Sequence, residues 1–553
     1  MMRTFLVVLS TVVSFALPGY CATFSVPIGT QATIVGYTWD QPSGLAFFGI
    51  PYAQPPVGQN RFAPPQRKDP AGAVYAFHYG SACVQGGNGN FGEDCLFLNI
   101  FTPRVANITQ SKYPVFFWIH GGGFVGGSGD LGVEGALSNL VNRGMIVVSI
   151  NYRLGPFGFY STRDSTIPGN MALLDMIEAL NWVKRYISYF GGDPDQITVA
   201  GESSGAEGVS LLTLSPLSRG MFKQAVIESG SGFVPAVMSY SEATRDTSKT
   251  ISINMGCTTA SNWDQHNSNL MSSTLNCMRS KSVADIQAAD NAVPDHRMKW
   301  GPVLDSQVLP DRLETLALSR PPMPVLIGNC HDEYLGWYIG GVIGDPNFLN
   351  MFTRQWSVQD LASRYELRYY NNTAMVHQAI EEAYIDSLNL MDTDHVGWCK
   401  EDAQMYTEMI FVGPTYRDAM TFRQTHSPVY LYSFDYLAPG AFPTLQAPLR
   451  GVPHAWELQY LFGYPATGSG GWQKTPDDDA TMNYFGQYWA NFVITGNPTP
   501  SPSAIVWPLL GSNGEYMSLG PVPTPSTAFH PKAASFWACT VPALEGYKPN
   551  WCT

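Results

Sequence analysis

The chain has 553 residues, of which 45% are hydrophobic and only 14% are charged, and this composition excludes a disordered, charge-dominated chain. The net charge of −13 argues against nucleic acid or an anionic membrane as the main partner, because either would require a basic face. Length alone would allow two or more domains, although α/β enzymes of this size also occur as one elaborated unit.

The amino terminus has the pattern of a secretory signal. Arg3 precedes an apolar run over residues 5–17 that ends at Pro18 and is too short to span a bilayer comfortably. We therefore predict a signal peptide over residues 1–21, with a membrane anchor as the alternative, and one domain over residues 22–553. No later segment reaches the roughly 18 uninterrupted apolar residues of a spanning helix, so we expect a secreted protein without stable membrane insertion.

Nine cysteines in an exported chain predict disulfide bonds, and eight remain if Cys21 leaves with the signal peptide. Sequence alone does not fix their connectivity, and Cys330 and Cys399 can either pair or remain buried thiols. None of the spacings resembles a zinc site, so we expect no metal. Two glycosylation sequons, at Asn107 and Asn371, are also compatible with export. Local spacing favours Cys83 with Cys95, Cys257 with Cys277, and Cys539 with Cys552.

Short apolar, β-branched or aromatic runs alternate with helical patterns, which indicates an α/β fold with a sheet flanked by helices. The best helix runs from about Met171 to Tyr189, with apolar residues spaced three and four apart. Segments at about 240–320 and 340–425 interrupt the strands, and we predict that they form helical cap insertions over one sheet edge. The clearest strands are Val115–Ile119, Ile146–Ile150, Ile197–Ala200, Ala225–Ile227, Val325–Ile327 and Val429–Phe434.

One predicted strand ends at a glycine-rich loop, His120-Gly121-Gly122-Gly123-Phe124. Consecutive glycines let backbone N–H groups approach a reacting carbonyl, where they stabilise the negative charge of a tetrahedral intermediate. Such a loop upstream of a nucleophile is expected in esterases, and a merely flexible glycine loop is the alternative. We choose the N–H groups of Gly122, Gly123 and Ser204 as the oxyanion-hole donors.

A later strand runs into Gly201-Glu202-Ser203-Ser204-Gly205, and an apolar, helix-compatible segment follows. A nucleophile elbow requires this strand–turn–helix setting, because the turn strains the serine backbone and its neighbours must be small. The pattern occurs once in the chain, and a simple tight turn is the alternative interpretation. We predict Ser203 as a nucleophile.

Seven segments spread over nearly the whole chain share the pattern of one known family. They are Phe48–Gly58, Glu93–Ile100, His120–Phe124, Asn151–Gly155, Gly201–Ala206, Gly328–Glu333 and Gly451–Gly463. With them the chain resembles the type-B carboxylesterase/lipase family, the cholinesterase-like branch of the α/β-hydrolases. The resemblance implies a single-domain α/β-hydrolase fold with a mostly parallel sheet, a Ser–Glu–His triad and no cofactor. It also implies the Cys83–Cys95 and Cys257–Cys277 bridges.

Acyl transfer by serine needs a base, and histidine suits this role because its unperturbed pKa of about 6.5 lies close to neutral pH. His454 lies in a segment that resembles the family's histidine segment, whereas His120 belongs beside the glycine loop. The family's acid position falls on Glu333, with the adjacent Asp332 as the alternative. The order Ser203, Glu333, His454 matches the α/β-hydrolase order of nucleophile, acid and histidine.

Further predictions concern the residues around Ser203, Glu333 and His454. We expect Ser229 to hydrogen-bond the carboxylate of the acid, while Glu202 either tunes the histidine or faces solvent. Tyr334 stands where the family often has a glycine, and we expect it to reshape the pocket wall. The family's structural ion pairs are expected between Arg61 and Glu93 and between Arg153 and Asp175.

The loop between Cys83 and Cys95 has eleven residues, far fewer than a lipase lid or the cholinesterase loop with its cation-binding tryptophan. We therefore predict a lid-poor, secreted serine carboxylic-ester hydrolase that acts on small-molecule esters through an acyl-enzyme. Lipase, sterol esterase and feruloyl-type esterase remain alternatives, as does a non-catalytic binding relative. The sequence predicts neither the natural ester nor the oligomeric state. Candidate pocket walls, each as readily a core residue, are Phe124, Phe233 and Trp337.

Overall fold

A computed structural model describes residues 20–552 except positions 88, 106, 163, 266, 295–298, 346, 365–371 and 464–473. Most of the predicted signal peptide and the sequon residue Asn371 lie outside the described residues. Within the described part, no helix is both long enough and apolar enough to cross a membrane.

The described residues form fifteen strands, thirteen of them in one sheet. They are β1 Tyr20–Ile28, β2 Ala32–Asp40, β3 Ser43–Pro51, β4 Gly72–Tyr75, β5 Ala82–Cys83, β6 Phe91–Gly92, β7 Phe97–Thr102, β8 Tyr113–Ile119, β9 Ile146–Ile150, β10 Gly192–Glu202, β11 Gln224–Glu228, β12 Val325–Cys330, β13 Val429–Phe434, β14 Tyr516–Leu519 and β15 Thr524–Ser526. The sheet order is β1-β2-β3-β7-β9-β8-β10-β11-β12-β13-β14-β15, with β4 beside β2 and a separate β5–β6 pair. The run from β9 to β14 is parallel, whereas the pairs joining β1, β2, β3, β7 and β9 are antiparallel.

All six predicted strands are confirmed, and all lie in the parallel run. The bounds of β9 and β13 are the predicted ones, and the other four strands contain the predicted residues. Parallel strands are buried on both faces, so they appear in sequence as short continuous apolar runs. The predicted α/β architecture with a mostly parallel sheet is therefore confirmed.

The central strand β8 shows how the sheet separates two core layers. Val115, Phe117 and Ile119 belong to one buried cluster, whereas Phe116 and Trp118 belong to the other. Successive side chains of a strand point to opposite faces, so one strand supplies apolar surface to both helical layers. The sheet is consequently fixed from both sides.

Helices cover the two faces of the sheet and form the insertions. They are α1 Val133–Gly135, α2 Gly155–Phe159, α3 Met171–Tyr186, α4 Ser204–Leu214, α5 Pro235–Asn254, α6 Ala260–Asp264, α7 Ser268–Ser280, α8 Val283–Asn291, α9 Leu313–Leu318, α10 Leu335–Gly344, α11 Arg354–Ser363, α12 Thr373–Glu381, α13 His395–Thr407, α14 Gly413–Gln424, α15 Leu458–Leu461, α16 Pro476–Thr495, α17 Pro531–Ser535 and α18 Val541–Leu544. The helix predicted from Met171 is α3, which ends three residues earlier than expected and continues into a tighter turn over Ile187–Phe190. The predicted insertions are helical, with α5–α9 between β11 and β12 and α10–α14 between β12 and β13.

Covalent and ionic links brace this fold. The three expected disulfides are present, while Cys330 and Cys399 are buried free thiols. Both predicted ion pairs are present and two-pronged, with N–O distances of 2.6 Å for Arg61–Glu93 and 2.7 Å for Arg153–Asp175. Their guanidinium geometry matches a carboxylate, and this match offsets the cost of burying the charges.

Candidate active site

Ser203 occupies the turn between β10 and α4, and its backbone has φ 57° and ψ −129°. This left-handed region is unfavourable for a residue with a side chain, so the surrounding contacts must hold the turn. A Cβ added to Gly201 would lie 2.6 Å from the carbonyl of Gly205, and one added to Gly205 would lie 2.2 Å from Ile119 O. The two glycines therefore let the strand and helix cross closely, as a nucleophile elbow requires.

The glycine loop leaves the end of β8 and reaches the same turn. A Cβ at Gly121 would lie 2.8 Å from Ser203 Cβ, so the loop and the serine are in close contact. Gly122 and Gly123 have φ of +112° and +61°, and Gly122 O accepts hydrogen bonds from the N–H groups of Val125 and Gly126. Ser204 opens α4, where an N–H has no acceptor within its own helix. The three predicted donors thus lie in the two segments that meet at Ser203.

His120 lies beside this loop and not at the reactive turn. Its ring stacks on Tyr152 with centroids 4.4 Å apart, and its Nδ1 lies 2.7 Å from Gly121 O. Burial lowers the pKa of His120 to about 4, so the ring is neutral at physiological pH. Its ring therefore packs between Tyr152 and the backbone of the glycine segment.

His454 and Glu333 are in direct contact although 121 residues separate them. His454 Nδ1 lies 2.5 Å from Glu333 Oε2, and the backbone N–H of His454 donates to Glu333 O at 3.1 Å. The backbone N–H of Cys330 donates to the other oxygen, Glu333 Oε1, at 2.7 Å. Glu333 is fully buried, so its carboxylate is held in one orientation toward the imidazole.

The opposite edge of the imidazole faces the elbow. His454 Nε2 lies 3.1 Å from Oε1 of Glu202, the residue immediately before Ser203. Burial alone would lower the pKa of His454, but the negative charges of Glu202 and Glu333 outweigh it and raise the pKa to about 9. Burial in turn raises the pKa of Glu202. Of the two roles considered for Glu202, the structure supports tuning of the histidine, because the side chain is buried.

Asp332 has other partners. Its Oδ2 accepts a hydrogen bond from Val452 N at 3.0 Å and lies 3.1 Å from His331 Nδ1. The neighbouring Glu333, and not Asp332, therefore contacts His454.

A third buried carboxyl group, Glu457, which the sequence does not predict, lies close enough to His454 for their charges to interact. Glu457 Oε2 accepts a hydrogen bond from the thiol of Cys330 at 2.8 Å, and its Oε1 accepts one from Ser229 Oγ at 3.2 Å. The expectation that Ser229 hydrogen-bonds the carboxylate of Glu333 is therefore wrong, because its hydroxyl donates to Glu457. Burial, reinforced by the charge of Glu333, raises the pKa of Glu457. Its spacing of three residues from His454 was the available sequence signal.

Two aromatic rings pack against the imidazole of His454. The ring centroids of Trp337 and Phe411 lie 5.1 Å and 4.8 Å from that of His454. Trp337 is 50% exposed and stacks on buried Tyr334. Tyr334 therefore influences the pocket wall by supporting the ring of Trp337 and does not itself face the pocket. Phe411 was missed, because no local pattern marks it.

The other two candidate walls are buried. Phe124 is fully buried and packs edge-to-face against Phe159, with centroids 5.0 Å apart. Phe233 is 5% exposed and lies under the guanidinium of Arg417. Of the three proposed wall residues, Trp337 is the one with an exposed face.

The sequence matches the model of the carboxylesterase family over residues 30–537. It is 32% identical over 534 residues to acylcarnitine hydrolase of Mus musculus, covering 91% of this chain and 88% of that protein. It is 31% identical to cocaine esterase of Homo sapiens, covering 90% and 87%, and 30% identical to acetylcholinesterase of Bungarus fasciatus, covering 91% and 84%. The chain therefore belongs to the carboxylesterase family and is a carboxylic-ester hydrolase.

Proposed function

We propose that Ser203 is the nucleophile, His454 the general base and Glu333 the acid that orients the histidine. The observation that carries this proposal is the position of the His454 ring, held by Glu333 on one edge and facing the Ser203 turn on the other. A base of this kind must be fixed in the correct tautomer, and the Nδ1 contact with Glu333 does this.

In the first half of the reaction, Ser203 Oγ bonds to the acyl carbon while its proton passes to His454 Nε2. The electron pair of the carbonyl π bond moves to oxygen, where the N–H groups of Gly122, Gly123 and Ser204 stabilise the negative charge. The pair then re-forms the carbonyl, the ester C–O bond breaks, and His454 gives its proton to the leaving alcohol. Water repeats the sequence on the acyl-enzyme, releasing the carboxylic acid and restoring Ser203.

We infer that the substrates are small-molecule esters that carry an apolar, flat group. Half-exposed Trp337 offers such a group an aromatic surface beside the base, and buried Phe411 packs against both Trp337 and the imidazole. The short Cys83–Cys95 loop supports an open site without a lipase-type lid. The relatives are named for acylcarnitine, pyrethroid and cocaine hydrolysis, which supports small-molecule substrates.

We further propose that the protein is exported after removal of residues 1–21. The amino-terminal pattern and the three disulfides support this, because disulfides persist mainly in oxidising compartments. Sequencing the amino terminus of protein secreted by a eukaryotic host tests the proposal. A mature chain that still begins at Met1 would contradict it.

A covalent inhibitor of serine hydrolases tests whether Ser203 is the nucleophile. The protein is incubated with an organophosphate and digested, and the modified peptide is identified by mass spectrometry. We expect the adduct on Ser203 and its loss in Ser203→Ala, while Ser273→Ala, an exposed serine on α7, labels like the wild type. An adduct elsewhere, or none in an active preparation, would overturn the assignment.

The substrate class is tested with p-nitrophenyl esters of increasing acyl length, measured in solution and in emulsion. We expect the highest kcat/KM on short to medium chains and no rise in rate when an oil surface forms. A preference for long chains with interfacial activation would instead indicate a lipase.

A further inference from the structure

The disulfide-closed loop between Cys83 and Cys95 contacts Gly127, three residues after the glycine loop, through the side chain of Gln85. Its Oε1 accepts a hydrogen bond from Gly127 N at 3.0 Å, and its Nε2 donates to Gly127 O at 2.9 Å. The same Nε2 also donates to Cys83 O at 3.1 Å. The amide thus binds both backbone groups of one glycine, which restrains the two peptide units on either side of its Cα.

Gly127 is packed against the segment that contains the predicted donors Gly122 and Gly123. A Cβ there would lie 2.4 Å from His120 Nδ1 and 2.5 Å from Gly121 O, so its backbone is packed against the start of the loop. One residue earlier, Gly126 N donates to Gly122 O at 3.0 Å. Five glycines in this short stretch, at 121, 122, 123, 126 and 127, leave it few side chains of its own to hold its shape.

Gln85 is itself anchored from two sides. Its backbone carbonyl accepts a hydrogen bond from Gln287 Nε2 of α8 at 2.9 Å. The far end of the disulfide loop is held by the two-pronged pair between Glu93 and Arg61, and Arg61 Nη1 also donates to Lys281 O at 2.6 Å. The disulfide loop that carries Gln85 is therefore held against the insertion between β11 and β12, at Lys281 and at Gln287 of α8.

We propose that Gln85 is a positioning residue that holds the glycine loop in the shape in which its N–H groups receive the oxyanion. The proposal rests on the proposed function, since it assigns Gln85 a role through the donors Gly122 and Gly123. Donors stabilise a transition state only if they are oriented before charge develops, so a glycine-rich segment with few side chains of its own gains from a contact that restrains its backbone from outside. The short disulfide loop supplies it, and thereby serves the reaction as a brace and not as a lid.

The test compares Gln85→Ala and Gln85→Glu with the control Asn90→Ala, an exposed residue of the same disulfide loop whose side chain lies 3.4 Å from Ser81. Gln85→Glu retains an acceptor for Gly127 N but loses the donors to Gly127 O and Cys83 O. Each variant is assayed for kcat and KM on p-nitrophenyl butyrate and for its thermal unfolding midpoint. Each is also assayed for inhibition by an aryl trifluoromethyl ketone. Ser203 adds to the carbonyl of this ketone and passes its proton to His454, which leaves an oxyanion in the hole.

We expect Gln85→Ala to lower kcat about 10- to 100-fold, less than the full loss of a donor, with KM little changed. Its affinity for the trifluoromethyl ketone should weaken by the same factor, with an intermediate effect in Gln85→Glu and none in Asn90→Ala. Unfolding midpoints within a few degrees of one another exclude general destabilisation. If Gln85→Ala does not fold, the comparison of Gln85→Glu with Asn90→Ala decides.

Equal kcat and equal ketone affinity in the Gln85 variants and Asn90→Ala would overturn the role of Gln85. Ser203→Ala is assayed in parallel to separate this result from failure of the proposed function. Loss of turnover in Ser203→Ala with unchanged Gln85 variants rejects the brace alone, whereas full turnover in Ser203→Ala rejects the nucleophile on which the brace depends.

Discussion

Glu202 Oε1 lies 3.1 Å from His454 Nε2, so a buried carboxyl group contacts the nitrogen that we propose as the acceptor of the Ser203 proton. A negative charge there favours the protonated imidazole, and Glu202→Gln removes it. The pKa of His454 should fall, the neutral base should persist to lower pH, and the acid limb of kcat/KM should move down by about one pH unit. The pH profile of the purified variant measures this, with the remote Glu178→Gln as control. A limb that stays fixed or moves upward would contradict the tuning role.

The glycine loop should not tolerate a methyl group at its centre. A Cβ at Gly122 would lie 2.3 Å from Gly126 O, and the φ of +112° is unfavourable for any other residue. We expect Gly122→Ala to lower kcat by about 10²- to 10³-fold through displaced donors. Gly132→Ala is the matched control, because no atom lies within 4 Å of the added methyl. Similar kcat values in the two variants would contradict the assignment of the oxyanion hole.

The variants Glu333→Gln and Asp332→Asn test which of two adjacent carboxylates orients His454. The amide at 333 no longer stabilises the imidazolium or fixes its tautomer, so activity should fall by about 10³- to 10⁴-fold. The amide at 332 still accepts the hydrogen bond from Val452 N, and its activity should stay within about tenfold of wild type. Steady-state kcat/KM at the pH optimum decides, and the reverse order would move the acid to Asp332.

Cys330→Ala removes the thiol that donates to Glu457 Oε2. A buried carboxyl oxygen then loses its donor, which costs about 1–3 kcal/mol of unfolding free energy. Because the charge of Glu457 interacts with those of His454 and Glu333, we also expect a lower kcat and a changed pH profile. Cys399→Ala is the control, since it removes an equally buried free thiol, which lies in α13. The same pH profile in both variants would show that Cys330 contributes to packing but does not influence the titration of the site.

The Arg153–Asp175 pair should govern stability and not chemistry. Its side chains are 3% and 0% exposed, so Asp175→Asn leaves a buried guanidinium without its counter-charge, at a cost of about 3–5 kcal/mol. Asp195→Asn breaks the exposed pair with Lys184, where the aspartate is 86% exposed, and should change stability by less than about 0.5 kcal/mol. Urea unfolding measures the stability of both variants. Equal midpoints would contradict the larger contribution of the buried pair.

The sequence predicts those parts of the fold and site that local patterns determine. The parallel strands appear as short apolar runs because both of their faces are buried, and the elbow appears because a strained turn admits few residue types around Ser203. His454 and Glu333 were found by family resemblance, since neither residue type nor spacing distinguishes one histidine among ten.

Contacts between distant segments could not be predicted in the same way. Glu202 with His454, Glu457 with Cys330 and Gln85 with Gly127 each join segments whose proximity depends on the folded sheet. The amino-terminal antiparallel strands were also missed. Residues 32–38 of β2 do alternate between buried and half-buried positions, but its apolar and polar residue types do not alternate cleanly enough to mark it.

The sheet edge and the insertions divide the site into two parts that can change separately over evolutionary time. Ser203 and Glu333 follow β10 and β12, whereas Trp337 belongs to α10 and Phe411 to the segment between α13 and α14. Insertions that add no strand can lengthen, shorten or exchange aromatic residues without altering the pairing of the strands. Descendants of such a protein can therefore change which esters they bind through mutations in the insertions, while the residues that follow the strands stay the same.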